Sequence, residues 1–248
     1  MEHYDAIFHA LDRLGLEYEV IDCLPFTDKL EFKTDRKDVF CFGTVKMANL
    51  ATKEGFNPGS FYGGDHDFLI YKSYYKDNLL NFGSMIQPLS APINFHYTAH
   101  GSPYQEKALF IRPTVDSKIF NGGVYTKCKW EDIVERLNGK YDEHIIQVSL
   151  PRRIYKEARV WIVDGKVVTS SYYKFHTYDA HFETEVSPEG LEFAQEMANI
   201  WQPAPAFVMD ICLTLQGWKI VELNCINCSG FYKGDMQKVL IALEDLYE

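Results

Sequence analysis

Asp210 and Glu222 lie in two runs of β-forming residues, 207–214 and 218–223, that flank Gln216-Gly217 and read as a hairpin, and Asn224 directly follows the second. Side chains two apart in a strand share a face, so Glu222 and Asn224 point one way while Val221 and Leu223 point the other. On the partner strand Met209 and Ile211 take one face and Asp210 the other. A turn centred near Gln216 sets Asp210 opposite Glu222 to within one residue, and two carboxylates and an amide oxygen then converge. Like charges that close raise each other's pKa unless a cation lies between them, and hard oxygen donors of this kind suit Mg2+ bound together with phosphates. The same spacing also describes the solvated outer face of an antiparallel hairpin, so both readings stand at this point.

Arg112 ends an apolar run, 108–113, and a ten-residue loop, 114–123, follows it and closes on Gly122-Gly123. A guanidinium fork on one side and closely approaching backbone amides on the other can hold phosphate oxygens. The Gly-x-x-x-x-Gly-Lys-Ser/Thr spacing of a Walker loop is absent, and a surface arginine beside an ordinary hairpin loop fits the segment equally well. Arg159 shares a strand face with Glu157 and Trp161 in another hairpin, 158–163 and 166–171, turned by Asp164-Gly165. A two-residue turn pairs Arg159 with Ser170 and Glu157 with Tyr172. The two charges either pair with each other on an exposed face or Arg159 meets an anionic ligand. Cys225-x-x-Cys228 is half of a zinc or redox motif without its second half, the eight His lack ligand spacing, and no Gly-x-Ser-x-Gly elbow is present.

The elements that must position these residues alternate along the chain. Apolar spacing at Ile7, Leu11 and Leu14 predicts a helix ending at Gly15, and strand-like runs follow at 18–22 and 39–42. Thr44 caps a helix through residue 53 that Gly55 closes, ahead of a turn at Asn57-Pro58-Gly59. Strands are expected at 108–113, 124–127 and 145–150, and helices at 130–137, 188–199 and 236–246. A boundary is expected in 80–106, where Pro88, Pro92 and Pro103 punctuate the chain. The chain has 248 residues, 46% of them hydrophobic and 24% charged, enough for a sizeable core. Its net charge of −10 argues against a general nucleic-acid or anionic-membrane binder. The acidic start and the absence of an apolar run near ~18 residues predict no signal segment or membrane span, and six Cys are ordinary usage for a cytoplasmic protein.

Taken in order, these stretches resemble the ATP-grasp superfamily. More narrowly, they are similar to a clade of amide ligases from phages and bacteria in which an Arg stands where many ATP-grasp enzymes have a phosphate-binding Lys. The matching residues are 110–113 with Asn121-Gly122-Gly123, then Glu157-Ala158-Arg159-Val160 through Gly165-Lys166-Val167-Val168, then Met209-Asp210 and Glu222-Leu223-Asn224 through Ser229-Gly230-Phe231-Tyr232. The resemblance implies an α+β ATP-grasp domain at 80–248, two lobes clasping ATP, preceded by a small α/β domain at 1–79. It implies that Arg112 contacts the α- and β-phosphates under a closing loop with Gly122 and Gly123, that Lys118 is a weaker phosphate contact, and that Gln147 and Ser149 lie on the adenine-side strand. Asp210, Glu222 and Asn224 would hold Mg2+. Arg159 would stabilise the transferred phosphate or hold the substrate carboxylate, and Asn227, Ser229 and Lys233 would meet the acceptor. The implied reaction joins a small-molecule or peptide carboxylate to an amine through an acyl phosphate, with ATP and Mg2+. A small-molecule kinase and a non-catalytic nucleotide-binding module are the alternatives. The Cys-rich tail after Asn224 departs from the common pattern.

Overall fold

The computed structural model describes residues 5–21, 34–61, 65–95, 108–115, 119–175, 178–179 and 186–247. Along the chain these form α1 (Asp5–Leu14), β1 (Asp38–Phe40), α2 (Val45–Glu54), β2 (Asn57–Gly59), α3 (Phe68–Tyr75), β3 (Met85–Pro88), β4 (Ala108–Pro113), β5 (Gly123–Thr126), α4 (Lys127–Leu137) and β6 (Ile145–Ser149). They continue with β7 (Lys156–Val163), β8 (Lys166–Phe175), β9 (Tyr178–Asp179), α5 (Pro188–Ile200), β10 (Ala206–Thr214), β11 (Gly217–Cys225) and α6 (Met236–Asp245). Two compact units result, one of Met1–His66 with Ile154–Glu248, the other of Asp67–Arg153. In the first unit α1 packs on α6, which joins the N-terminal and C-terminal stretches of the chain.

In the first unit, β11, β10, β7, β8 and β9 form an antiparallel sheet in that order. The Asp164-Gly165 turn has both residues at positive φ, 50° and 70°, which is the backbone twist that joins β7 to β8 without splaying them. Alternate rungs of the β7/β10 pair face opposite ways. Val160 with Met209 and Ile162 with Phe207 are fully buried, and α5 packs on β7, β8 and β10 to cover that face. Val163 with Ala206 and Trp161 with Val208 face the other way, into a core closed by Ile7 and Ala10 of α1, Met236, Val239, Leu240 and Leu243 of α6, and Phe231. β1 and β2 pair in parallel, so Asn57-Pro58-Gly59 is a strand and not only a turn: its residues pair with Asp38, Val39 and Phe40. Thr44 accepts from the Met47 amide and Gly55 closes α2 in the left-handed conformation, as expected. Residues 18–21 form no strand.

In the second unit, β3, β6, β4 and β5 form an antiparallel sheet, and Leu109, Ile111, Ile146 and Val148 pack with Trp130 and Ile133 of α4. Strand alternation does the sorting here too. Leu109, Ile111 and Pro113 are buried, while Ala108, Phe110 and Arg112 between them are half-buried on the opposite face. β3 carries no strand signal in the sequence, because Met85-Ile86-Gln87-Pro88 has no alternation and ends in proline.

Candidate functional site

The face of the first sheet that carries Trp161 and Val208 changes character one rung further along. The next pair on that face is Arg159 with Asp210, and both are buried, at 8% and 2% exposure. The solvated-face alternative is therefore excluded for Asp210. Arg159 donates from Nε to Asp210 Oδ1 at 2.9 Å and from its NH2 nitrogen to Oδ2 at 2.8 Å, a fork-to-fork ion pair, and its NH1 nitrogen donates to the Gly230 carbonyl at 3.1 Å. Burial pushes the Asp210 carboxyl up, Arg159 pulls it back and Glu222 adds to the rise, so it lies above the ordinary carboxylate range. Burial also opposes the charge on Arg159, but the Asp210 carboxylate outweighs it and holds the guanidinium above its ordinary value.

Glu222 reaches this face through a bulge. From the turn upward, Thr214 pairs with Gly217 and Ile211 with Ile220, a register that would set Val221 against Asp210. A shift between Asp210 and Ile211 places Glu222 opposite Asp210 instead, which re-aims a carboxylate and turns a valine away. Asn224 stands two residues on and turns its Nδ2 to both acids, 3.3 Å from Asp210 Oδ2 and 3.0 Å from Glu222 Oε1. A neutral donor thus occupies the position between two carboxylates where a cation would fit, and rotation of the amide would present its oxygen as a third ligand. Among the described residues no group of three or more His, Cys, Asp and Glu is placed to hold a metal, so an ion here depends on that amide. The donor set fits a hard divalent cation.

Two β8 residues complete the setting. One bulge between Trp161 and Ile162 moves the partner of Arg159 from Ser170 to Ser171, and a second, between Glu157 and Ala158, adds to the first, so that together they move the partner of Glu157 from Tyr172 to Lys174. Glu157 is consequently satisfied without Arg159: Lys174 Nζ lies 2.8 Å from its Oε1 and the Tyr173 hydroxyl donates to its Oε2 at 2.9 Å. Burial, then the charges of Asp210, Glu157 and Glu222, hold the Tyr173 phenol far above its ordinary pKa against the pull of Arg159, so it stays a neutral donor. The Tyr173 ring stacks on Tyr232 with centroids 5.0 Å apart and planes 16° apart.

The second unit gathers its own group on one sheet face. Arg112 pairs across the sheet with Gln147, and Phe110 with Ser149. Gln147 is buried and accepts from Ser84 Oγ at 3.3 Å, and Ser149 Oγ donates to Asn81 Oδ1 at 3.2 Å. Gly122 lies against Arg112 so closely that a Cβ there would stand 2.9 Å from Arg112 Cβ, and a Cβ at Gly123 would touch the Tyr125 ring at 3.4 Å. Gly122 gives Arg112 its room.

A family model of the ATP-grasp domain, the third family of its clade, matches residues 71–243. The chain belongs to this ATP-grasp family. Its fold is similar to that of a RimK domain ATP-grasp protein from Sphaerobacter thermophilus DSM 20745, with a TM-score of 0.59, 13% identity, and coverage of 99% of this chain and 95% of that one. It is equally similar to D-cycloserine synthetase DcsG, with a TM-score of 0.59, 10% identity, and coverage of 98% and 95%. At such identities the likeness is one of fold. No curated protein matches the sequence.

This ATP-grasp chain therefore brings Asp210, Glu222, Asn224 and Arg159 together in one unit, and Arg112, Gly122, Gly123, Gln147 and Ser149 in the other. Lys118 lies outside the described residues. Asn227 and Ser229, expected to meet an acceptor, are buried at 0% and 4% exposure and bonded to backbone. The Asn227 amide accepts from the Gly43 N–H at 3.0 Å and donates to the Gly43 carbonyl at 3.1 Å, and Ser229 Oγ donates to the Cys225 carbonyl at 2.7 Å. Their residue types suit substrates as well as they suit backbone, and in the fold both bond backbone, Asn227 to a residue 184 positions away. Asn227→Ala should lower stability by about 2–4 kcal/mol, since two buried backbone groups lose their partner, and urea denaturation checks this. A stability equal to wild type would show that the Gly43 contact is dispensable. Lys233 is exposed, and its N–H donates to Ser171 Oγ. Cys225 is buried and its thiol is shared between the carbonyls of Ser60 and Phe61, so it ties the strand end to residues 60–61. Sequence reasoning misses Tyr173 and Tyr232, because their contact with Arg159 depends on a bulge and on a chain reversal after β11.

Proposed function

We propose that this ATP-grasp protein is an ATP-dependent carboxylate–amine ligase that works through an acyl phosphate. The observation that carries the reading is the buried Asp210, Glu222 and Asn224 group, a hard-cation donor set on the sheet of a family that the sequence match establishes. In this reading Asp210, Glu222 and Asn224 would hold Mg2+, which supplies charge neutralisation for the phosphates when bound. Arg112, standing in the position of the usual lysine, would hold phosphate oxygens, with Gly122 and Gly123 letting the backbone approach. The strand with Gln147 and Ser149 would lie on the adenine side. A substrate carboxylate oxygen attacks the γ-phosphorus and ADP leaves with the electrons of the broken P–O bond. The amine nitrogen then attacks the acyl carbon, phosphate departs, and the amine gives up a proton. No covalent protein nucleophile takes part, so the residues need only bind, orient and neutralise.

The substrates are proposed as a small-molecule or peptide acid and an amine. Among the described residues no helix is long and apolar enough to cross a membrane. The deciding experiment offers carboxylate and amine pairs with Mg-ATP and follows ADP, free phosphate and adduct. ADP and phosphate appearing in step with an amide support the ligase. A phosphorylated product without free phosphate would make the protein a kinase, and nucleotide binding without turnover across a broad panel would make it a binding module. Gly122→Ala should weaken ATP binding about tenfold, the loss of roughly one charge-assisted contact, because the added methyl displaces Arg112. Calorimetric titration reads this, and unchanged affinity would remove Arg112 from the phosphate role.

A further inference from the structure

We propose that Arg159 is a positioning residue that acts through Asp210, locking the carboxylate for the metal, rather than a contact to the transferred phosphate; the proposal rests on the ligase reading above. Both oxygens of Asp210 receive a nitrogen of the Arg159 fork, and a third nitrogen is held by the Gly230 carbonyl. The guanidinium is also gripped by its face. Its central carbon lies 5.0 Å from the Tyr232 ring centroid and 5.9 Å from that of Tyr173. A side chain buried and tied in this way would have to leave two charge-assisted bonds to reach a phosphate, stranding a buried carboxylate.

The grip is built by the chain that follows β11. Tyr232 sits at φ 49°, a left-handed conformation that an aromatic residue adopts only when its surroundings impose it. Those surroundings are specific. The Lys233 N–H donates to Ser171 Oγ at 3.1 Å, the Asp235 N–H to Thr169 Oγ1 at 3.0 Å, and the Gly234 N–H to the Phe231 carbonyl at 2.9 Å. Gly234 presses against Trp161, whose ring a Cβ would meet at 2.7 Å. Residues 230–235 are thus strapped onto β8 and β7, and the strap accepts strain to place one carbonyl and one ring on Arg159. Such an arrangement orients the ligand that Arg159 holds, as supporting residues do around metal sites generally.

The test separates metal from nucleotide. Mn2+ alone is titrated into the full chain and followed by electron paramagnetic resonance, and ATP is titrated in EDTA by calorimetry. Wild type should bind Mn2+, and Asp210→Asn should not. Arg159→Lys, which keeps the charge but not the fork, should bind Mn2+ about 10- to 100-fold more weakly while its metal-free ATP affinity stays within about twofold of wild type. The reverse pattern, Mn2+ affinity kept and ATP affinity lost, would make Arg159 a phosphate contact and overturn the proposal. Tyr232→Gly keeps the left-handed backbone without strain and removes only the ring. It should weaken Mn2+ binding roughly two- to fivefold and leave metal-free ATP untouched. Should near-ultraviolet dichroism show Arg159→Lys unfolded, unchanged Mn2+ binding by Tyr232→Gly overturns the proposal. A wild type that binds neither Mn2+ nor ATP overturns the ligase reading itself, and the proposal with it.

Discussion

Asp210→Ala should abolish the magnesium-dependent stabilisation by ATP and should also weaken the protein without ligand. Wild type at ~100 times the dissociation constant of Mg-ATP gains about 2.7 kcal/mol, a rise in melting temperature of roughly 5–10 °C for a chain of this size. The variant should show no such rise. Its intrinsic loss has a separate cause: the substitution leaves Arg159, 8% exposed, without its countercharge, and removing one partner of a buried ion pair costs about 3–5 kcal/mol. Asp210→Asn divides the two effects, since the amide keeps the shape and one acceptor but neither charge nor metal affinity. Melts with and without Mg2+ and ATP read all of this. A variant that retains the full shift would remove Asp210 from the metal role, and one that melts like wild type without ligand would show that the Arg159 pair contributes nothing.

Arg112→Ala should behave in the opposite way. Arg112 is half-buried on the face of its sheet away from the apolar core, so its loss should change stability by no more than about 0.5 kcal/mol. Turnover should fall ~10³-fold or more, because an arginine that neutralises phosphate charge acts mainly on the transition state. ADP release with an active acid and amine pair measures it, beside a melt of the same preparation. Full turnover would move the phosphate role to another residue, whereas a large stability loss would show that Arg112 is structural. Asp210→Ala and Arg112→Ala thus compare a buried group with a half-buried one.

Much of this arrangement is legible in the amino-acid sequence. Residue types and the two-residue period place Glu222 and Asn224 on one strand face and Arg112 opposite Leu109 and Ile111, since a pleated strand sends successive side chains to opposite sides. Asp164-Gly165 and Thr44 with Gly55 declare their turn and caps through local backbone chemistry. Those signals reach only a few residues. The ordered set of motifs also carries the ATP-grasp resemblance, which the family match over residues 71–243 supports.

What tertiary structure alone decided lies in long-range register and burial. A bulge near Val221 chooses which residue faces Asp210, and two bulges in β8 move Glu157 and Arg159 to Lys174 and Ser171, shifts that no counting from the turn foresees. Arg159 and Asp210 are 51 residues apart, and each by itself looks like a surface charge. Their pairing follows from β7 lying beside β10 and from the strap that seals the pair, and Asn227 is claimed by Gly43 across 184 residues. A side chain's type states what it can bond, whereas its use is settled by which backbone or charge the folded chain carries to it and by whether water remains to compete.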